Sequence, residues 1–237
     1  MDISNYKAVI LAGGEGTRLY PITKEIPKPL LPVQKKPIIN YLVDLFCEAG
    51  IKNIAVLINQ NYREDFDWWK KRYYPDLKIK FAEESKPLGT FGGLYLLKSW
   101  LADNMFFVTN GDEIKEIDLS RLAKFHQKQN LLATVCSVFV PDPQNYGVVV
   151  SKNNTVKEFL EKPVNPPSNY INSGLYLFSP KIFINHPGPK FLMIEKDVFP
   201  KLVKEKQLAN FQYTGRWTDC GTWERYGVAL SNKKNRP

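Results

Sequence analysis

Lys7-Ala8-Val9-Ile10-Leu11-Ala12 runs directly into Gly13-Gly14-Glu15-Gly16, and the reading of this junction decides the architecture. A short apolar run with β-branched residues is the pattern of a buried strand, and the glycines at its end mark a tight loop. In open α/β sheets, a loop at the carboxyl edge of a strand is where ligands bind. Downstream, Ile38, Ile39, Leu42, Leu45 and Phe46 keep a helical spacing within Pro37 to Ala49, and Gly50 is placed to stop that helix. Asn53 to Ile58 reads as a second strand. Strand, helix, strand in this order predicts a right-handed crossover and a parallel sheet.

The same alternation continues outward. Asn61 to Tyr74 has helical spacing with Phe66, Trp69 and Tyr73 on one face, and Lys78 to Ala82 alternates as a strand does. Helical spacing assigns Trp68, Trp69, Tyr73 and Tyr74 to packing and surface cover, not to a base-stacking platform. A second glycine-rich loop, Leu88-Gly89-Thr90-Phe91-Gly92-Gly93, opens a helix expected to run through Leu101. Met105 to Thr109 is another apolar strand, ending at Asn110-Gly111-Asp112. After a helix over Ser120 to Asn130, strands dominate: Ala133 to Val140, Gly147 to Val150, Val156 to Leu160 and Ser173 to Phe178, punctuated by prolines. Tyr226 to Leu230 reads as a terminal helix. No low-complexity linker or fixed-period repeat divides the chain, so residues 1–237 are expected to form one domain.

Composition narrows the class. Hydrophobic residues at 43% and charged residues at 24% are ordinary globular usage, which excludes disordered and fibrous chains. No apolar run is long enough to span a bilayer, and the N-terminal residues lack the order of a secretion signal, so a cytoplasmic protein away from membranes is expected. Three cysteines without a C-x-x-C pair suit reduced thiols, with Cys47 and Cys136 read as small buried hydrophobes. With only His126 and His186, both expected on the surface, histidine-based triads and multi-histidine metal sites are disfavoured. The net charge of +9 attracts polyanions, yet the basic residues are scattered apart from Lys70-Lys71-Arg72 and the tail at Lys233, Lys234 and Arg236. No zinc-finger spacing or RNA-binding aromatic motif accompanies them, so a small phosphorylated substrate is expected in place of nucleic acid.

The first loop carries the chemistry. Gly13, Gly14 and Gly16 leave backbone N–H groups uncovered, a cradle for phosphate oxygens, and Arg18 adds a planar fork for bidentate phosphate binding. The lysine-threonine ending of a Walker loop and the G-x-G-x-x-G dinucleotide pattern are both missing, which counts against kinases and dehydrogenases. Lys28 lies between Pro27 and Pro29, two rigid residues that aim a flexible cation.

Leu11 to Val33, LAGGEGTRLYPITKEIPKPLLPV, closely resembles the signature of the sugar-phosphate nucleotidyltransferase family. The resemblance continues in the family's order through PLGTFGG, NGDE, YGVV, FLEKP, NSGLYLF, IEKDVFP and WTDCGT, covering nearly the whole chain. It implies a Rossmann-like three-layer α/β/α fold with a mixed, mostly parallel central sheet and a small sugar-binding β-rich lid. About residues 1–115 would bind the nucleotide and about 116–230 the sugar phosphate. It also implies a reaction, the joining of a nucleoside triphosphate to a sugar 1-phosphate with release of pyrophosphate.

Carried over residue by residue, the resemblance gives Leu11, Gly13, Gly14, Gly16, Thr17, Glu84, Gly89 and Thr90 to the nucleotide. Gly147, Glu161, Lys162 and Asn172 go to the sugar phosphate, Asp112 and Asp219 to Mg²⁺, and Arg18, Lys28, Asp112 and Lys162 to catalysis. Glu113 after Asp112 departs from the family's usual small or polar residue and leaves its part in the metal site open. Glu83 and Glu84 precede Pro87-Leu88-Gly89, where the resemblance places base reading; a carboxylate only accepts hydrogen bonds and guanine presents adjacent donors, so GTP is favoured. Ile194-Glu195-Lys196-Asp197 resembles a stretch of mannose-1-phosphate guanylyltransferases, so mannose or heptose 1-phosphate is favoured. Glucose or amino-sugar 1-phosphates with UTP, dTTP or CTP are the alternative.

Two other classes compete with this reading. A non-catalytic nucleotide-sugar-binding subunit could lose its phosphate-handling residues, but Arg18, Lys28, Asp112, Lys162 and Asp219 are all present. A glycosyltransferase would carry Asp-x-Asp where this chain has Asn110-Gly111-Asp112-Glu113. The hexapeptide repeats of a C-terminal β-helix are not found, so that domain is not expected; oligomeric state, homo-oligomer included, stays open.

Overall fold

The computed structural model describes residues 1–231; the basic cluster at Lys233, Lys234 and Arg236 lies outside the described residues. Strand β1 (Lys7–Ala12) pairs in parallel with β2 (Asn53–Asn59), and β2 in turn with β3 (Ile79–Glu84). The other edge of β1 pairs in parallel with β4 (Phe106–Asn110). A parallel strand flanked on both edges is covered on both faces, which is why its sequence is a continuous apolar run; Ala8, Val9 and Ile10 are fully buried.

The second half of the chain extends this same sheet. β5 (Glu113–Lys115) stands outside it, whereas β6 (Ala133–Phe139), β7 (Gly147–Lys152), β8 (Thr155–Glu161), β9 (Tyr170–Phe178) and β10 (Leu208–Gln212) join it. The order of the nine strands is β3-β2-β1-β4-β9-β6-β10-β8-β7. β9 forms the seam, antiparallel to β4 on one side and to β6 on the other, so one ladder runs through both halves. β5 pairs antiparallel with β11 (Trp217–Asp219), which sets Asp219 opposite Glu113.

Helices cover both faces. α1 (Ile38–Glu48), α2 (Arg63–Tyr73) and α3 (Leu119–Gln129) pack on the face that carries Ala8, Ile10, Ile54 and Val56. Val9, Ala55 and Leu57 point the other way, onto the turns between Gly89 and Leu101 and onto α4 (Phe199–Lys204). This two-residue alternation feeding two separate cores produces the three-layer α/β/α arrangement. Phe91, Phe106, Phe178 and Phe183 form an aromatic nucleus of the second core, with Phe106 and Phe183 stacked at 5.8 Å between ring centres. A third cluster ties α5 (Trp223–Ser231) to the signature segment: Tyr226 packs with Leu19, Leu31 and Ile38, and its hydroxyl donates to the Pro32 carbonyl at 2.7 Å. No helix among the described residues is long and apolar enough to cross a membrane.

Several local expectations are corrected. The helix expected through Leu101 is three short turns, Gly89–Gly92, Gly93–Leu97 and Lys98–Leu101. Adjacent glycines weaken a helix, and at Gly92 a Cβ would lie 2.2 Å from the Lys190 carbonyl oxygen, so close packing took precedence over helix continuity. Tyr73 is turned outward, and Tyr74 takes the inner position with its hydroxyl donating to Asp44 at 2.6 Å. Cys47 is only half-buried, whereas Cys136 and Cys220 are buried.

Neither histidine is on the surface. His186 packs on the Phe91 ring, and His126 extends the buried stripe Leu119, Leu122, Ala123 of α3, three and four residues apart. His126 Nδ1 meets Thr134 Oγ1 at 2.7 Å, its Nε2 has no partner, and burial pushes its pKa down from 6.5 to about 4. The folded chain therefore keeps this imidazole neutral where the unfolded chain protonates it. Its contribution is intact above pH 6.5 and is lost as the pH falls towards 4, by up to about 3 kcal/mol. Urea unfolding across that window should show the fall, and His126→Gln, which can still bond Thr134 but does not titrate, should flatten it.

Candidate active site

The carboxyl ends of β1, β3 and β4 open into a cavity of about 460 Å³. Leu11, Gly13, Gly14, Gly16, Thr17, Arg18, Lys28, Glu84, Gly89, Thr90 and Asp112 all line it. A second cavity of about 240 Å³ is lined by Gly147, Glu161, Lys162, Asn172 and Asp219, again with Arg18 and Asp112. Arg18, Thr90, Asn110, Asp112 and Met193 border both, so the two cavities adjoin, and every residue nominated from the sequence lines one of them.

Close backbone approach shapes the first cavity. At Gly13 a Cβ would lie 2.4 Å from Glu84 Oε2, so only glycine lets the buried Glu84 carboxylate reach the loop. Burial pushes the Glu84 pKa up, opposed by the Leu88 N–H donating to its Oε1 at 3.0 Å. Its neighbour Glu83 points outward to Arg63, as strand alternation requires. Gly89 has φ +80°, and a Cβ there would lie 2.4 Å from the Leu192 carbonyl oxygen. That carbonyl accepts from the Phe91 and Gly92 N–H groups at 2.9 and 3.0 Å, while the Leu192 N–H donates to Leu88 at 2.9 Å. The second glycine loop is thereby clamped to the segment around Leu192.

Acidic groups converge where the cavities meet. Asp112, in the turn after β4, forms an ion pair with the buried Lys28 while a quarter of its own side chain stays exposed. Burial alone would raise the Asp112 pKa, but the charge and hydrogen bond of Lys28 outweigh it and hold the carboxyl below its ordinary value. Asp219 accepts from Arg225 at 2.5 Å and from the Gly221 N–H at 2.6 Å, and the Arg225 guanidinium lies 4.4 Å from the centre of the Tyr146 ring. The Cys220 N–H donates to the Asp112 carbonyl at 3.1 Å, joining the two aspartate segments.

Glu113 is engaged by its own neighbours: Oε1 accepts from Asn110 at 2.9 Å, and Oε2 accepts from Trp217 Nε1 at 2.7 Å and lies 2.8 Å from Lys115 Nζ. Both its oxygens thus have protein partners. Burial, reinforced by Asp112 and Asp219 against the pull of Lys115, raises its pKa to about 7. Lys115 has no exposed side-chain surface, and its ammonium faces Glu113 too far off line for a hydrogen bond.

The second cavity depends on an irregularity in β9. The pairing with β6 shifts between Asn172 and Tyr176, and Gly174 sits in the bulge at φ +61°, where a Cβ would collide with Asn110 and Glu113. Asn172 Oδ1 accepts from the Gly174 N–H at 3.0 Å, and its Nδ2 donates to Tyr176 Oη at 2.8 Å. Tyr176 donates on to Glu195 at 3.0 Å, and Glu195 accepts from Thr90 at 3.1 Å, so a chain of hydrogen bonds joins a residue of each cavity. Lys162 holds a left-handed backbone at φ +50°, its N–H donating to the Tyr146 carbonyl at 3.1 Å, and its exposed ammonium is only loosely associated with Glu161 at 3.8 Å.

Sequence reasoning missed Asn110, Tyr176, Glu195, Phe191, Met193 and Arg225 as lining or supporting residues. Tyr176 and Glu195 lie inside quoted motifs, four residues after Asn172 and one after Ile194, so a signal existed. No local pattern distinguishes Arg225.

A single family model, described as nucleotidyl transferase, matches residues 7–235, and the chain belongs to that family. Among curated relatives it is 39% identical over 98% of its length to a mannose-1-phosphate guanyltransferase of Schizosaccharomyces pombe. It is also 39% identical over 91% of its length to one of Saccharomyces cerevisiae. The chain spans 66% and 61% of those relatives' lengths. Two solved structures match across most of both chains. One is a provisionally assigned glucose-1-phosphate thymidylyltransferase of Bacillus anthracis in complex with sucrose (TM-score 0.88, 28% identity, 98% of this chain and 96% of that one). The other is HddC of Yersinia pseudotuberculosis complexed with GMP-PN (TM-score 0.81, 29% identity, 95% and 98%).

Removing one member of a buried ion pair strands the other. Lys115→Met should destabilise the fold by about 3–5 kcal/mol in urea unfolding. Lys115→Met combined with Glu113→Gln, which keeps acceptors for Asn110 or Trp217 without a charge, should lose less than the single variant. Equal losses would show that Glu113 does not depend on Lys115.

Proposed function

We propose that this chain transfers a nucleotidyl group from a nucleoside triphosphate, GTP by preference, to a sugar 1-phosphate, mannose or heptose 1-phosphate by preference, with release of pyrophosphate. The observation that carries the reading is the meeting of two cavities at Arg18 and Asp112, one bringing Lys28, the other Lys162 and Asp219. Two highly charged anions need such a boundary if they are to react with each other.

An oxygen of the sugar phosphate attacks the α-phosphorus, forming a new P–O bond, while the bond from that phosphorus to the bridging oxygen of the β-phosphate breaks and pyrophosphate leaves. The nucleophile is already an anion, so no general base is required, and positioning with charge neutralisation carries the step. Arg18 and Lys28 serve the pyrophosphate side, and Lys162 holds the attacking phosphate.

The donor set fits Mg²⁺. Asp112 and Asp219 both border the second cavity, each balanced by one cation, and among the described residues no cluster of three or more His, Cys, Asp or Glu side chains forms a full protein cage. That combination matches an ion which takes few carboxylates and fills its shell with phosphate oxygens and water. Bound there, Mg²⁺ would neutralise charge on the α-phosphate.

For the base, Glu84 supports guanine. A desolvated carboxylate with one backbone donor gains from the paired N–H groups of guanine's Watson–Crick edge, while uracil and thymine offer one donor flanked by acceptors. The guanyltransferase names of the relatives and the GMP-PN of the Yersinia structure point the same way.

Turnover of four nucleoside triphosphates crossed with mannose, heptose, glucose and amino-sugar 1-phosphates tests the reading, with GTP plus mannose or heptose 1-phosphate expected to lead. Asp112→Asn should lower kcat at saturating Mg²⁺ by at least about a hundredfold, the scale of losing one transition-state charge partner. Lys162→Met should raise KM for the sugar phosphate about tenfold, the scale of one charge-assisted hydrogen bond. Full turnover by Asp112→Asn would sink the metal assignment.

A further inference from the structure

Phe191 is a large apolar side chain in an awkward place. It lines the first cavity and yet keeps 61% of its surface exposed, while Leu11, Leu57 and Met193 on the same lining are wholly or partly covered. Exposure of a single phenylalanine is ordinary on a mobile loop, but the backbone on both sides of this one is held. The Leu192 N–H and carbonyl make three hydrogen bonds to Leu88, Phe91 and Gly92, and the Lys190 carbonyl presses on Gly92 so closely that a Cβ there would lie 2.2 Å away. The chain therefore fixes an uncovered aromatic ring on the lining of the first cavity, which Pro87 and Glu84 also line.

We infer that Phe191 is a nucleotide-binding residue that packs against the face of the base, with Glu84 reading the base edge; this rests on the function proposed above. A flat apolar ring exposed in a cavity that Leu11, Leu57 and Pro87 also line suits a flat π-system, since every base has a face on which an aromatic side chain can stack. Phosphates and sugar hydroxyls, by contrast, gain nothing from it. The clamp also explains why the second glycine loop spends its Phe91 and Gly92 N–H groups on Leu192: the loop holds the segment that presents the ring. Phe191 takes no part in the bond changes.

Steady-state kinetics with Mg²⁺ and binding calorimetry on the full chain test this. Phe191→Ala should raise KM and Kd for GTP about tenfold, the loss of one base–aromatic contact, with kcat and the KM for sugar phosphate unchanged. Phe191→Tyr or Phe191→Trp should restore the affinity. Ile184→Ala, an exposed apolar residue outside the lining, should change nothing. Unchanged GTP affinity in Phe191→Ala, or a matching rise in KM for both substrates, would overturn the inference. A wild-type chain that binds GTP but transfers nothing would sink the proposed reaction, with Phe191 still judged on Kd; a chain that binds no nucleotide would sink both.

Discussion

Three carboxylates are drawn together at the junction of the two cavities, and each is matched by a cation from another position: Asp112 by Lys28, Glu113 by Lys115 and Asp219 by Arg225. Most of the site's geometry follows from that matching, because a buried charge without a partner costs several kcal/mol. Lys28 lies 84 residues before Asp112, so the pair pins the signature segment to the end of β4. Arg225 belongs to α5, which a separate apolar cluster packs against the same segment through Tyr226. Charge pairing and apolar packing therefore pull the two ends of the described chain onto one strand edge.

The site divides labour between a rigid frame and adaptable cations. β1, β2 and β4 are covered on both faces, and the loops at their carboxyl ends inherit that rigidity. Glu113 and Lys115, with Asn110 and Trp217, form a buried polar cluster beside the aspartates. Arg18 and Lys162 remain exposed at the cavities' margins, as flexible side chains must if they are to follow a phosphate. The hydrogen-bonded path Asn172–Tyr176–Glu195–Thr90 links residues of the two cavities.

Much of the fold was legible because its signals are local. Apolar runs at Lys7–Ala12, Asn53–Asn59 and Phe106–Asn110 and the amphipathic spacing of α1 and α3 needed no tertiary information. The failures have two causes, contact between residues far apart and a local spacing signal outweighed by residue type. Pressure from Lys190 and Leu192 broke the Gly89 to Leu101 segment into turns, and His126 went inside because its position on α3 continues an apolar stripe. The histidine was readable in principle: spacing of three and four residues carried the answer, and residue type obscured it.

By itself the sequence determined the strand-loop-helix grammar and nominated the glycine loop and the cations proposed to meet phosphate, since these depend on residue type and short spacing. Tertiary structure alone decided that Glu113 bonds to Asn110 and Trp217, that Arg225 and Glu195 line the second cavity, and that Phe191 is uncovered on the lining of the first. Trp217 and Glu113 bond across 104 residues, and Thr90 and Glu195 across 105. Which distant groups satisfy one another is settled only when the sheet brings its strand ends to a common edge, because hydrogen bonds and ion pairs act over a few ångströms whatever the separation along the chain.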